Sequence, residues 1–259
     1  MKKNNRELDF FKITDYFVKK EIVCFTLDID WASEAMIEKT LEIFEVAQVP
    51  VTIFLTHPSR AVQKRYDNDK MCRYVGLHPN FLVKNDYKKV INSSLKLWPK
   101  ARSFRSHAFF DNSWITKEFS DRDFLYDSNL GLFLQPKCIP LKHHSGLVRF
   151  PVFWEDDLHL AKFPASPRLS QIRKEIEETG LKIYNFHPFH VALNVPSLKF
   201  YEEHRFLYQK KLDFSRYVNK RQGMQNFLEE LIQYLREKKT PFWYLDDLYL
   251  ELLRFKKKE

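Results

Sequence analysis

The sequence is poor in glycine, with only 5 among its 259 residues, and this scarcity excludes one large class of binding site. Neither G-x-G-x-x-G nor G-x-x-x-x-G-K-[ST] occurs, so the chain lacks the glycine-rich loops that cradle nucleotide phosphates. It has no internal repeat either. The function must therefore be sought in individual polar side chains and their positions.

Cysteine is also scarce, and its three copies, Cys24, Cys72 and Cys138, are far apart and include no C-x-x-C. This pattern favours reduced thiols over a disulfide framework. Long apolar runs are missing as well. Charges interrupt the N-terminal region before a signal peptide can form, and no later segment approaches the roughly 20 apolar residues of a membrane-spanning helix. We therefore expect a cytoplasmic protein.

What the chain does contain is apolar and basic material. Hydrophobic residues make up 44% of it, with 24 Phe, 12 Tyr and 5 Trp, which predicts one folded domain with a sizeable core. The net charge of +9 would suit an anionic partner, such as a phosphorylated sugar, a nucleic acid or a membrane surface. The lysines are dispersed and no nucleic-acid-binding module accompanies them, so we expect no nucleic-acid partner. The oligomeric state is left open.

Short apolar segments alternate with helical patterns along the chain, which is typical of βα units. The predicted strands are 22–27, 49–55, 74–77, 103–105, 124–126, 147–150, 181–186 and 241–245. The predicted helices are 33–47, with Ser33 as N-cap, 86–97, 169–179, 222–238 and 246–255. This order predicts an α/β fold, a single-domain distorted or incomplete (β/α) barrel, with a doubly wound sheet as the alternative.

Ionisable side chains follow the predicted strands. In a parallel βα architecture the carboxyl ends of the strands open onto one face, which holds the active site in barrel enzymes. Residues distant in sequence are therefore expected to converge there: Asp28 and Asp30, His57, His78, Arg105 and His107, Asp127, His187 and His190, and Asp246 and Asp247.

Asp28 and Asp30 end the first strand, in the segment T-L-D-I-D-W-A. Because side chains alternate along a strand, both carboxylates are expected on the same side. Two ionised carboxylates repel each other unless a cation or a shared proton lies between them. A divalent metal would resolve the conflict, with one aspartate as ligand and the other as acceptor of a proton from metal-bound water. The alternative is an aspartate pair that caps the next helix.

This segment, with V-P-V-T-I-F-L-T downstream, resembles the first motif and second strand of the polysaccharide deacetylases. In that family the first aspartate is the general base and the second a metal ligand, which implies these roles for Asp28 and Asp30. The segment H-P-N-F-L is similar to the second family motif, H-[ST]-x-x-H. It supplies His78 as a ligand, but Leu82 stands where the second histidine belongs.

Further along, R-S-H resembles the arginine motif R-x-P of the same family. The resemblance implies that Arg105 orients Asp28 or binds substrate, and we expect His107, at the proline position, to replace the missing ligand. The ligands Asp30, His78 and His107 suit a divalent ion, with zinc expected and iron, nickel or manganese as alternatives. The strand that ends at His187 matches the last family motif, whose histidine protonates the leaving amine.

Taken in order, L-D-I-D-W-A, G-L-H-P-N-F, F-R-S-H, Y-D-S-N, F-P-V-F-W-E-D-D and N-F-H-P-F-H resemble a WbmS-like subgroup associated with bacterial O-antigen gene clusters. The resemblance spans residues 20–250 and implies one catalytic domain over 1–259. Asp156 or Asp157 would bond sugar hydroxyls or support His187, the alternative being an acidic helix N-terminus. The expected substrate-binding residues are Trp31, Asn80, Trp154, Asp157 and His190.

These observations lead to one main hypothesis and two alternatives. The main hypothesis is a metal-dependent hydrolase that removes an acetyl or formyl group from the nitrogen of an amino sugar in surface-polysaccharide biosynthesis. The sugar could be nucleotide-linked, lipid-linked or part of a polymer. A catalytically lapsed carbohydrate-binding protein is the first alternative, favoured by Leu82. A glycosidase ranks last, because two aspartates separated by one residue do not suit carboxylates placed across a sugar cleft.

Overall fold

The computed structural model describes residues 7–68, 74–83, 86–208 and 213–257. Its strands are β1 Glu21–Asp28, β2 Val51–Leu55, β3 Val75–Leu77, β4 Ser103–Phe104, β5 Tyr126–Asp127, β6 Leu141–Lys142, β7 Val148–Arg149, β8 Trp154–Glu155, β9 Gly180–Phe186 and β10 Phe242–Trp243. Its α-helices are α1 Phe10–Val18, α2 Glu34–Val46, α3 Arg60–Asp67, α4 Tyr87–Leu97, α5 Ser113–Ser120, α6 Asp156–Lys162, α7 Arg173–Glu177, α8 Pro188–Ala192, α9 Leu198–His204, α10 Met224–Glu237 and α11 Leu245–Leu252. Short 3₁₀ helices lie at His107–Phe109, Leu169–Gln171, Arg205–Tyr208, Phe214–Tyr217 and Leu253–Phe255.

The strands form one sheet in the order β6-β7-β5-β4-β3-β2-β1-β9-β8, and β10 pairs with the first half of β1. All pairs are parallel except β6 with β7. The segment 150–153 runs between the two flanks of this order. The backbone N of Phe150 donates to Asp127 of β5, and the backbone N of Phe153 donates to Ile183 of β9. The sheet therefore curves into an incomplete (β/α) barrel, which confirms the predicted class and excludes an open doubly wound sheet.

Alternation along β1 divides the core into two layers. Val23, Phe25 and Leu27 pack with apolar residues of α2, α8 and α10. Ile22 and Cys24 point the other way and pack with residues of α1 and α11. Strands β1 and β9 are buried on both faces and consist mainly of apolar residues, as central parallel strands do, with polar exceptions that include Thr26, Lys182 and Asn185.

The predicted helices differ from the observed ones mainly where packing breaks a regular pattern. Ser33 caps α2 as predicted, its hydroxyl accepting from Met36 N at 3.4 Å. The helix predicted over 169–179 is instead a 3₁₀ turn and the short α7, because the fully buried Ile172 between them has non-helical φ and ψ of −131° and 13°. Six observed helices were not among those predicted: α1, α3, α5, α6, α8 and α9.

Cys24 and Cys138 are buried free thiols, as expected, and Cys72 lies outside the described residues. Within those residues no helix is both long and apolar enough to cross a bilayer.

Candidate active site

The turn after β1 carries two of the predicted site residues. Asp28 ends the strand and is buried, whereas Asp30 and Trp31 have positive φ values of 33° and 56°. Left-handed backbone costs free energy for residues other than glycine and is typical of functional sites. Trp31 N donates to Thr56 Oγ1 at 3.2 Å, which fixes the turn against the end of β2. The turn thus separates the two aspartates while both still face His78, which lies beyond β3.

Asp30, His78 and His107 form a compact cluster. The Asp30 Oδ1 atom lies 3.1 Å from His78 Nε2 and 3.2 Å from His107 Nδ1. Burial raises the pKa of Asp30, but interactions with His107 and His78 outweigh it and hold this pKa well below its usual range. The structure therefore brings together the three residues predicted as metal ligands, including His107 at the family's proline position.

The donor atoms of this cluster fit a divalent cation. His78 is buried, and among the described residues neither of its ring nitrogens has a hydrogen-bond partner of good geometry, although Asp30 is close. Buried polar atoms are normally satisfied, and an imidazole nitrogen without a hydrogen bond is free to bind a metal. One atom from each of Asp30, His78 and His107 lies within 4.8 Å of the others. One carboxylate and two imidazoles are donors that zinc accepts.

Leu82 lies away from this cluster. Its side chain is 58% exposed, in a non-helical loop where the Leu82 amide donates to Asn80 Oδ1 at 2.9 Å. A spacing of four residues returns a side chain to the same face only in a helix. The segment after His78 therefore does not direct the side chain of residue 82 to the site. The second histidine of the cluster is His107, which begins the 3₁₀ helix after β4.

Arg105 holds Asp28. Its Nη1 donates to Asp28 Oδ1 at 3.0 Å, and its Nε and Nη2 donate to Ser128 O and Oγ at 2.9 and 2.8 Å. Arg105 is fully buried. It is therefore placed to orient Asp28 and has no exposed surface for a substrate.

Asn185 completes the support of Asp28. Its Nδ2 donates to Asp28 Oδ2 at 2.9 Å and to Glu155 Oε1 at 3.3 Å, while its Oδ1 accepts from Arg105 at 2.5 Å. Both oxygens of the Asp28 carboxylate are therefore hydrogen bonded and its plane is fixed. The sequence marked Asn185 only as one polar residue in a polar segment.

His187 lies across the site from the His78 and His107 rings. Its backbone N donates to Asp156 Oδ2 at 2.8 Å, and its Nδ1 lies 2.6 Å from Asp156 Oδ1. Its Nε2 is 3.7 Å from Asp30 Oδ2. Burial lowers the pKa of His187, but the Asp156 and Asp157 carboxylates raise it by more, so this pKa lies well above its usual range. These carboxylates therefore favour the protonated ring, whose Nε2 lies within the site near Asp30.

Glu155 is a site residue that the sequence did not reveal. It ends β8, is buried, and places Oε1 4.0 Å from His187 Nε2. Burial raises the pKa of Glu155 well above its ordinary value. The only signal in the sequence was the acidic run E-D-D, which equally predicts an exposed helix start.

Two of the predicted substrate-binding residues lie at the rim. Trp31 is 44% exposed and its ring centroid is 5.0 Å from that of His107. The Asp157 side chain is half-exposed, and its Oδ1 atom lies 3.4 Å from His190 Nε2. Asn80 is partly buried, with its carbonyl engaged in the loop after β3.

Two other residues that were predicted to bind substrate, Trp154 and His190, are buried. Trp154 is fully buried, stacks on Phe227 at 4.8 Å and donates from Nε1 to His159 at 3.1 Å, so it belongs to the core. His190 is 1% exposed and faces the Asp156 carboxylate, so it presents no surface to a sugar.

The remaining strand-end carboxylates have other partners. Asp127 pairs with Arg149 at 2.8 Å, and Asp246 accepts from Tyr126 at 2.6 Å. Neither belongs to a group of His, Cys, Asp and Glu that could hold a metal within the described ranges.

An incomplete (β/α) barrel with a buried Asp/His cluster and an opposing histidine at its strand ends is the arrangement of a carbohydrate-deacetylase fold. The family model of WbmS-like polysaccharide deacetylases matches residues 25–205. The chain therefore belongs to the WbmS-like polysaccharide deacetylase family.

Solved structures agree with this assignment. WbmS of Bordetella bronchiseptica, assigned as a polysaccharide deacetylase involved in O-antigen biosynthesis, is 27% identical with a TM-score of 0.71, covering 82% of this chain and 90% of that one. The Bc1960 peptidoglycan N-acetylglucosamine deacetylase is 13% identical with a TM-score of 0.50, covering 90% and 93%. A mutant of BA3943, a CE4-family pseudoenzyme of Bacillus anthracis, is 14% identical with a TM-score of 0.50, covering 90% and 68%. The last two show the fold alone. A comparison with curated proteins found no match.

Proposed function

We propose that this protein is a metal-dependent hydrolase that removes an N-acetyl or N-formyl group from an amino sugar used in surface-polysaccharide or O-antigen biosynthesis. One observation carries the proposal. The buried Asp28 carboxylate lies between a cluster suited to a metal, whose His78 Nδ1 is 3.8 Å away, and the opposing histidine His187, and it pairs with Arg105 at 3.0 Å.

Asp30, His78 and His107 would hold the divalent ion, for which zinc is the expected choice and iron, nickel or manganese the alternatives. When bound, such an ion lowers the pKa of a coordinated water toward roughly 7 and polarises the acyl carbonyl.

The side chains of the chain perform the proton transfers. Asp28 accepts a proton from the attacking water, and Arg105 and Asn185 keep its carboxylate in position. The water oxygen bonds to the acyl carbon, and the carbon–nitrogen bond breaks as His187 donates its Nε2 proton to the leaving nitrogen. Asp156 fixes the ring of His187 for this step. The products are the free amino sugar and acetate or formate.

Trp31 and Asp157 are the rim residues best placed to contact a sugar, Trp31 by stacking and Asp157 by hydrogen bonding to hydroxyls. We propose a cytoplasmic precursor as substrate, either nucleotide-linked or lipid-linked. The net charge of +9 supports this choice, because both linkages carry phosphate.

A catalytically lapsed carbohydrate-binding protein is the second candidate. Leu82 favours it, because this exposed side chain replaces a histidine of the family's metal motif. The position of His107 beside Asp30 argues for the hydrolase instead.

An acyl-release assay tests the proposal. Purified protein is incubated with N-acetyl and N-formyl nucleotide sugars and lipid-linked sugars, with and without a chelator, and free amine and bound metal are measured. We expect release that the chelator abolishes. Asp28→Asn should keep the metal and lose about 10²- to 10⁴-fold in turnover, the usual share of a general base.

Asp127→Asn is the matched control, because Asp127 is also a buried strand-end carboxylate paired with an arginine but lies outside the site. It should retain turnover. Sugar binding without bound metal and without acyl release would favour the lapsed binding protein, and full turnover in Asp28→Asn would remove Asp28 from its assigned role.

A further inference from the structure

His190 shares the carboxylate that supports His187. Its Nδ1 lies 3.1 Å from Asp156 Oδ2, at ion-pair distance but without hydrogen-bond geometry, while His187 Nδ1 is hydrogen bonded to Asp156 Oδ1 at 2.6 Å. One fully buried carboxylate thus has an imidazole beside each oxygen. The two rings are 5.6 Å apart and tilted by 68°.

The surroundings of His190 hold its ring in place. The ring is 1% exposed, its centroid lies 5.0 Å from that of Tyr201 on α9, and its Nε2 lies 3.4 Å from Asp157 Oδ1. Burial lowers the pKa of His190, but the carboxylates of Asp156 and Asp157 raise it more. The residue is therefore a buried neighbour of Asp156 without direct access to a substrate.

A buried carboxylate needs partners for both oxygens, because an unpaired buried charge is costly. Among the described residues, the Oδ2 atom of Asp156 accepts a hydrogen bond from the backbone N of His187 and lies 3.1 Å from the Nδ1 atom of His190. Without the His190 ring, the Asp156 carboxylate would be free to rotate toward the side where the half-exposed Asp157 lies. Its contact with His187 Nδ1 would then be lost.

We propose that His190 is a positioning residue which, through Asp156, holds the His187 ring in the orientation required to protonate the leaving nitrogen. This inference rests on the proposed N-acyl hydrolysis, and it adds a second histidine to the histidine–aspartate pair of the site.

A metal ion shared by Asp156, Asp157, His187 and His190 is the competing explanation, since donor atoms of these residues lie within 4.8 Å of one another. The 2.6 Å contact argues against it, because it places a proton, not an ion, between His187 Nδ1 and Asp156. Metal content is therefore measured for every variant.

The test compares His190→Leu, which removes the ring nitrogens, with His190→Asn, whose amide can replace Nδ1 as a donor to Asp156. Two substrates are used: the N-acyl sugar, whose amine must be protonated to leave, and an aryl acetate, whose phenolate leaves without an acid. We expect His190→Leu to lower kcat for the sugar by about 10- to 100-fold, a fraction of the usual general-acid contribution, with little change in KM. Aryl acetate hydrolysis should change less than about threefold, and His190→Asn should restore most of the sugar activity.

His204→Asn is the matched control, because His204 bonds only the carbonyl of Phe200 in its own helix among the described contacts. It should leave both activities unchanged. Equal losses for both substrates, an unchanged kcat for the sugar, or a loss of bound metal in His190→Leu would overturn the proposal.

A measurement without turnover separates this inference from the proposed function. In wild-type protein the short His187–Asp156 hydrogen bond should give a far-downfield imidazole proton in the NMR spectrum, and Asp156→Asn should abolish it. We expect this signal to move or broaden in His190→Leu and to persist in His190→Asn. An unaltered signal in His190→Leu refutes positioning by His190, whereas a wild-type protein that releases no acyl group refutes only the proposed function.

Discussion

The replacement of Arg105 by methionine should be the most destabilising single change at the site. The guanidinium of Arg105 is fully buried and donates to the Asp28 carboxylate, to Thr26, to Asn185 and to both oxygens of Ser128. Methionine has a similar length but no donors, so the Asp28 carboxylate would keep only Asn185 as a hydrogen-bond donor among these partners.

The expected loss follows from this geometry. Removing one partner of a buried ion pair costs about 3–5 kcal/mol, because the other charge remains buried and unpaired. The contact of the guanidinium with the Phe54 ring, at 4.5 Å, adds to the loss. A domain of this kind has only about 5–15 kcal/mol of stability, so Arg105→Met should be marginally folded at 37 °C.

Urea unfolding followed by tryptophan fluorescence measures the effect, in the wild-type background and in Asp28→Asn. In the second background the loss should be smaller by at least about 1 kcal/mol, because the neutral amide leaves no unpaired charge. Arg254→Met is the control: this exposed arginine pairs with Glu251, and its loss should cost about 0–1 kcal/mol. A cost below about 1 kcal/mol for Arg105→Met, or equal costs in both backgrounds, would refute the assigned role.

Four further predictions concern residues that can be tested separately. Trp154→Phe should lower the free energy of unfolding by about 1–3 kcal/mol while KM stays unchanged, measured by urea unfolding and steady-state kinetics, because the indole lies in the core. Burial lowers the pKa of His159 to about 4, below its unfolded value, so its contribution to stability should be present above about pH 6.5 and be lost as the pH falls toward 4. Unfolding at a series of pH values should show a loss of roughly 2–3 kcal/mol over this range that His159→Gln lacks, and parallel curves for the two proteins would contradict the burial argument. Trp31→Ala should raise KM severalfold and change stability by less than about 0.5 kcal/mol, whereas an unchanged KM for every sugar would exclude stacking at the rim. A chelator should lower the Tm of wild-type protein but not of Asp30→Asn, since a ligand bound only to the folded state stabilises it; equal Tm changes in both proteins would place the metal elsewhere.

The sequence was most informative where burial imposes a continuous pattern. Strands β1 and β9 were predicted to within one residue at each end, because both are buried on both faces and consist mainly of apolar residues. The convergence of His78, His107 and His187 was predictable for a related reason. In a parallel sheet the strand ends share one face, whatever the distance between them in sequence.

Contacts that depend on side-chain geometry were not predictable from the sequence. Asn185 is one polar residue in a polar segment, and nothing in the local sequence shows that it bonds Asp28 and Glu155 at once. Trp154 precedes an acidic run and therefore looked exposed, although it is the last apolar residue before the chain turns toward the site. The break at Ile172 likewise arises from packing that no periodic pattern encodes.

The order of the sheet has a consequence for how such a protein changes over evolutionary time. The residues suited to the metal come from β1, β3 and β4, within 28–107, whereas Glu155, Asp156 and His187 come from β8, α6 and the end of β9, on the other flank of β1. The two groups are thus encoded by separate stretches of the gene, and in the fold they meet around Asp28 and Asp30. Recombination or mutation can alter the leaving-group side without disturbing the metal side. On the proposed function, a descendant that lost His187 would keep the cluster of Asp30, His78 and His107 and the exposed Trp31, which is a short route from a deacetylase to a lectin-like protein.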